Sequence, residues 1–274
     1  MAELEAVAGI RDPIERAKRA TELVEDHQDA VIELSRIRRE ALNELVARGM
    51  TQREIAEHLG TTRARIGQLL SSGPKPERAL LGTGAVTIAI GGKPEGPRAN
   101  PSTVISAELT KSCRLITDCC ACYDLAVASE EVVDPPGMVN LNRPNLIVLG
   151  SPRLLPFVSQ VLEADSKLGF GSGAQGWYLT AGDTIHRSPL DHGEPADYAY
   201  IGRLPRPDSK GTFLYLAGIH AMGTLGAATY LTSNVAELYQ QVKHKRWSVL
   251  IECRYDPDSR IIQSTEPITP IHQH

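Results

Sequence analysis

Apolar residues recur at helical spacing from Pro13 to Arg48, at Ile14, Ala17, Leu23, Val24, Val31, Leu34, Ile37, Leu42, Leu45 and Val46, with almost no breakers between them. Asp12 before Pro13 predicts the start of this helix, because proline is tolerated in a first turn and Asp can cap it. Gly49 ends the run. A helix this long exceeds what a small helical core needs, which leaves two uses for its stripe: folding back on its own module, or pairing with a second copy of the chain. Ser71-Ser72-Gly73-Pro74-Lys75-Pro76 then breaks the pattern with residues that stop a helix and stiffen a connection. Beyond it the period shortens. Residues 85–90, 125–128, 145–149, 198–201, 212–217 and 247–253 are short β-rich runs bounded by Gly and Pro. Helical stretches lie at about 102–123, 153–164 and 224–243, and this alternation predicts an α/β sheet with crossover helices. Residues 170–190 are rich in Gly and predict a hairpin on the sheet edge, from Trp177-Tyr-Leu179 and Thr184-Ile-His-Arg187. The pattern divides the chain into an all-α part at 1–73, a linker at 74–83 and an α/β domain at 84–274.

Within the first part, Thr51-Gln-Arg-Glu-Ile-Ala-Glu-His-Leu-Gly60 and Thr61-Thr-Arg-Ala-Arg-Ile-Gly-Gln-Leu-Leu70 place each residue type where two short crossed helices need it. Thr51 can cap the first, Ile55 and the small Ala56 face inward, Gly60 permits the turn, and Thr61 or Thr62 caps the second. Ile66 and Leu69 are expected to share a core with Leu59. Thr62, Arg63, Arg65 and Gln68 are left outward. The segment resembles the helix-turn-helix family, and within it the last region of sigma factors; about 20 residues carry the likeness closely. That resemblance implies double-stranded DNA as partner, with Thr51, Arg53, Thr61, Thr62, Arg63, Arg65 and Gln68 as contacts. The second helix would lie in the major groove, Arg63 and Gln68 reading bases while Arg53 and Arg65 hold phosphates.

Charge qualifies this picture. The chain of 274 residues carries a formal net charge of −4, so no whole-molecule basic field draws it to nucleic acid. A local cluster must serve, and Arg36, Arg38, Arg39, Arg53, Arg63, Arg65, Lys75 and Arg78 supply candidates. Glu33, Glu40, Glu54 and Glu57 lie among them and weaken non-specific binding by a lone module. A symmetric homodimer is therefore expected, on inverted half-sites roughly 34–36 Å apart. No stretch approaches the roughly 20 apolar residues of a membrane span, and the N-terminus lacks the basic start and apolar run of a signal peptide, so a cytoplasmic location is expected. The five cysteines, Cys113, Cys119, Cys120, Cys122 and Cys253, show neither disulfide pairing nor metal-ligand spacing. Cys113 and Cys120 are expected on one buried helical face, and neither a metal nor a cofactor is implied.

The α/β domain is similar in general layout to Rossmann-like sensor domains fused to helix-turn-helix modules. In such sheets ligands bind beyond the carboxyl ends of the strands. Gly91-Gly92-Lys93, Gly150-Ser151-Pro152-Arg153 and Gly218-Ile219-His220, the last followed by Gly223-Thr224, stand at three such ends and predict a site for an anionic small molecule. Ser151, Thr224 and backbone amides would donate, and Lys93 and Arg153 would supply charge. Neither Gly-x-Gly-x-x-Gly after the first strand nor a P-loop is present. The chain therefore reads as a DNA-binding transcriptional regulator whose second domain senses that molecule or mediates assembly. Two alternatives come from other classes: a nucleotide- or nucleoside-processing hydrolase with His220, Asp197 and Ser151 as its reactive set, and a protein contact for RNA polymerase.

Overall fold

Asp12 accepts a hydrogen bond of 2.9 Å from the Ile14 amide and so starts the long helix where its sequence predicts. In the computed structural model, which describes residues 2–96 and 102–274, the chain divides into two compact units, Met1–Pro76 and Glu77–His274.

The described elements of the first unit before its last residue are helices: α1 (Ala2–Ala8), α2 (Pro13–Ala47), α3 (Gln52–His58) and α4 (Arg63–Ser72). Thr51 and Glu54 form a reciprocal capping box at the start of α3, and Thr62 caps α4 by accepting from the Arg65 amide. Leu42, Ile55, Ala56 and Ile66 form the buried core, with Leu45, Met50, Leu69 and Leu70 around it. Leu59 does not join them. It is 55% exposed, because the helix ends there and the chain turns through Gly60 at a φ of 62°. Along α2, Ile14, Val24, Val31, Leu34 and Ile37 remain exposed.

The second unit opens earlier than composition suggests. Residues 77–81 lie in the stretch expected as linker, yet Pro76–Leu80 forms a 3-10 turn and Ala79, Leu80 and Leu81 enter the main hydrophobic core. There follow β1 (Val86–Gly91), β2 (Lys93–Pro94), β3 (Thr103–Val104), α5 (Ala107–Cys122), β4 (Val127–Val133), β5 (Leu146–Leu149) and α6 (Pro156–Leu162). The chain continues through β6 (Leu168–Gly173), β7 (Gly176–Ala181), β8 (Thr184–Arg187), β9 (Ala196–Pro205) and β10 (Thr212–Gly218). Asn234 then separates α7 (Ala221–Ser233) from α8 (Val235–Val242), where one helix is expected, before β11 (Trp247–Tyr255), β12 (Ile262–Pro267) and β13 (His272–Gln273).

The unit is mixed α/β around one sheet with the order β12-β11-β9-β10-β5-β1-β4, and β13 beside β11. Strands β4, β1, β5 and β10 pair in parallel, while β9 is antiparallel to both β10 and β11. β11 therefore runs with the parallel group, and β9 and β12 oppose it. One face, with Ile88 and Ile147, is covered by α5, α7 and α8 through Ile116, Leu231 and Leu238. The other carries α6 and the β6-β7-β8 sheet over Val148, Leu155, Tyr200 and Tyr215. The hairpin expected on the sheet edge thus belongs to a separate three-stranded antiparallel sheet. Its Leu168 and Leu179 are buried against that face.

This order fixes where a ligand can reach backbone. From β1 the chain crosses through α5 to β4 on one side, then returns to β5 on the other side of β1. At such a reversal the two connections leave in opposite directions, and a crevice opens beyond the carboxyl ends of β1 and β5.

Candidate functional site

The crevice is present, and it gathers most of the residues that the sequence singles out. Gly91, Lys93, Gly150, Ser151, Arg153, Gly218, His220 and Thr224 line one cleft of about 480 Å3, its open mouth included. Gly92 is buried beside it, where a β-carbon would run into the Thr103 side chain, and it faces an adjoining groove instead. Val104, Ser106, Leu109, Leu154, Ile219 and Ala221 complete the lining. Ser106 carries a readable signal, since it caps α5 by accepting from the Leu109 amide at 3.2 Å.

Backbone approaches closely at Gly218. A β-carbon there would meet the His220 carbonyl and the Thr224 amide, so only glycine lets β10 turn so tightly into α7. The Gly218 amide donates to the Thr224 hydroxyl at 2.9 Å, which fixes the Thr224 side chain as a structural clamp. Below the floor the buried Tyr215 hydroxyl donates to the Gly150 carbonyl at 2.8 Å.

The start of α7 is already occupied by a carboxylate. Asp197, fully buried on β9, accepts from the His220 amide at 2.9 Å and the Gly223 amide at 2.8 Å, while Ser188 Oγ and the Tyr198 amide donate to its other oxygen. Burial pushes this carboxyl above the ordinary range, against the hydrogen bond from Ser188, the charge of His220 and the two amides, which favour its ionised form. Two amides expected to be free for a ligand are therefore committed inside the protein, and the helix terminus is largely compensated. Attraction for an anion falls instead to Lys93 and Arg153, both exposed and without a partner among the described residues. Ser151 adds a polar group inside. It is 7% exposed and lines the cleft, and its hydroxyl makes no hydrogen bond among the described residues.

The set of His220, Asp197 and Ser151 does not assemble as a relay. Asp197 binds the backbone amide of His220, and the imidazole Nε2 instead pairs with Asp191 Oδ1 at 2.8 Å. Asp191 sits in the 3-10 turn Pro189–His192, and its distance in sequence from His220 left no signal to find it.

In the first unit, Thr62, Arg63, Arg65 and Gln68 are all exposed on α4, opposite the buried Ile66, and Thr61 is half-buried at the turn. Arg65 Nη1 donates to Gln68 Oε1 at 2.6 Å, and Arg53 pairs with Glu57 at 3.1 Å. Arg63 has no partner among the described residues. The Thr51 hydroxyl donates to Glu54 Oε2 at 2.8 Å and accepts from the Glu54 amide, so it serves the cap and leaves no hydrogen for a phosphate. Three of the other clustered arginines are also spent. Arg36 is fully buried between Glu33 and Glu40, at 2.8 and 2.9 Å, and Arg78 is buried in the second unit, donating to the carbonyls of Asp124 and Thr83. Arg39 donates to the Gly73 carbonyl.

Among the described residues no group of His, Cys, Asp and Glu could hold a metal ion, and no helix is long and apolar enough to cross a membrane. Cys113, Cys119, Cys120 and Cys253 are buried. No protein-family model, no curated protein and no solved structure matches the chain.

Proposed function

We propose that the protein is a DNA-binding transcriptional regulator of the helix-turn-helix kind, whose Rossmann-like second unit senses an anionic small molecule. The observation that carries the first half is α4 itself: capped by Thr62 and anchored by Ile66, it presents Thr62, Arg63, Arg65 and Gln68 to solvent from one helix. The second half rests on the cleft at the β1/β5 reversal, lined by Lys93, Arg153 and the buried Ser151, whose side chains have no partner among the described residues. The exposed stripe of α2 supports a homodimer, which doubles the DNA contacts of a module carrying few free arginines.

The decisive experiment is a gel-shift series on the site enriched from random DNA. Arg63→Ala is expected to cost about 1–3 kcal/mol on that site and to relax preference at one base position, whereas Arg53→Ala weakens all sequences alike. Unchanged affinity and preference for Arg63→Ala would sink the docking.

A second reading has one observation in its favour: the His220 imidazole, held by Asp191, lines the same cleft and is suited to proton transfer on a bound molecule. Turnover of a nucleotide panel that is abolished by His220→Ala, with fold and DNA binding kept, would replace the sensor by a hydrolase.

A further inference from the structure

Resting on the anion-sensing reading of the cleft, we propose that its ligand is a nucleoside phosphate, with phosphate in the cleft and a planar base in the groove beside it. The cleft does not stand alone. Lys93, Arg153 and Leu154 also line a second groove of about 860 Å3, whose remaining lining is Gly92, Pro94, Pro135, Pro136 and Pro156. Cleft and groove meet at the two cations, which line both.

The two halves differ in chemistry. The inner cleft offers glycine backbone, the unpartnered Ser151 hydroxyl and His220, groups that suit phosphate or sugar oxygens. Among the described residues the outer groove is lined by four proline rings and no acidic side chain. Proline rings give a rigid apolar wall that loses no side-chain entropy on covering a flat ring. A free inorganic anion would use the cations and leave the wall idle, and an uncharged ring would do the reverse. A nucleoside phosphate uses both, with its charge beside Lys93 and Arg153. Two acids touch the lining through His220, Asp191 at its imidazole and the buried Asp197 at its amide, and both are hydrogen-bonded there.

Calorimetry on the full chain tests this, with pyrophosphate, the four common nucleosides and ADP, GDP, CDP and UDP as probes. The tightest diphosphate is expected to bind at least about tenfold more strongly than pyrophosphate or its own nucleoside. Arg153→Ala should weaken pyrophosphate and the diphosphate together. Pro94→Ser, at an exposed position on β2, removes the ring without adding charge and should weaken the diphosphate while leaving pyrophosphate unchanged, with circular dichroism confirming the fold. If pyrophosphate matches every diphosphate, or Pro94→Ser spares the diphosphate, the nucleoside inference is overturned while Arg153-dependent pyrophosphate binding keeps the anion site. If no probe binds, both fall together.

Discussion

At the scale of single residues, the tightest constraints lie where backbone crosses backbone. Gly218→Ala places a methyl group against the His220 carbonyl and the Thr224 amide, neither of which can swing away, and should cost about 1–3 kcal/mol in urea unfolding. Thr224→Val keeps the shape but leaves the buried Gly218 amide without its acceptor, at about 1–3 kcal/mol, while Thr224→Ser should cost less. The thiols give a chemical readout of burial. Burial pushes Cys113 and Cys119 up to about 11 and Cys120 and Cys253 up to about 12, so iodoacetamide at pH 8 should label only the exposed Cys122 until urea is added. Because the folded state disfavours the thiolate, their contribution to stability is complete below the ordinary thiol value near 9. It is then lost as pH rises toward 11–12, where the unfolded chain binds fewer protons than the folded one.

At the scale of elements, two helices of the first unit make separate predictions. The Thr51–Glu54 capping box fixes where α3 starts, and Thr51→Ala should cost about 0.5–2 kcal/mol of helix stability by thermal melting. Loss of DNA binding without such destabilisation would return Thr51 to the DNA contacts. Helix α2 presents Val24, Val31 and Leu34, at spacings of seven and three, to solvent. If that seam joins two copies, Leu34→Lys should shift the protein to monomer in sedimentation and remove protection of the second half-site. A wild-type monomer at binding concentrations would refute the pairing outright.

At the scale of the whole molecule, the position of the boundary has consequences. Arg203 on β9 donates to the carbonyls of Ala79 and Leu80 at 2.8 and 3.1 Å, and to those of Lys243 and Lys245 at 3.1 and 3.4 Å. A fragment starting at Glu77 should therefore fold. One starting at Gly84 strips Leu80 and Leu81 from the core and leaves the buried Arg203 Nη2 without acceptors, and should appear molten by near-UV dichroism. If the two units communicate, the coupling must be reciprocal: operator DNA changes affinity for the anion by the same factor as the anion changes affinity for DNA. Equal affinities in both titrations would show two independent modules.

Most of the elements were legible because their signals are local. Asp12-Pro13, Thr51 as a cap, and the spacing of Ile55, Ala56 and Ile66 each act within a few residues or one small core. Strands β1, β5 and β10 were legible as apolar runs ended by glycine, and with them the residues of the cleft, since a turn at a strand end is written in the few residues that make it; β4 was expected at 125–128 and instead spans Val127–Val133, an edge strand whose Ser129 and Glu130 alternate with its neighbours. What depends on partners far away in the chain was not. Arg78 looks in sequence like the exposed Arg38 and Arg63, and only packing against Asp124 and Thr83 buries it. Asp197 takes the α7 amides, and Asp191 takes His220 from 29 residues away, because β9 and the preceding turn are brought to the helix by the sheet order. The linker stretch is polar enough to read as a connection, yet Arg203 and the open end of the core draw its last residues in. Local spacing determines which segments form; which charges remain free in the second unit, and which amides remain unspent, is decided by long-range contacts that only the assembled sheet creates.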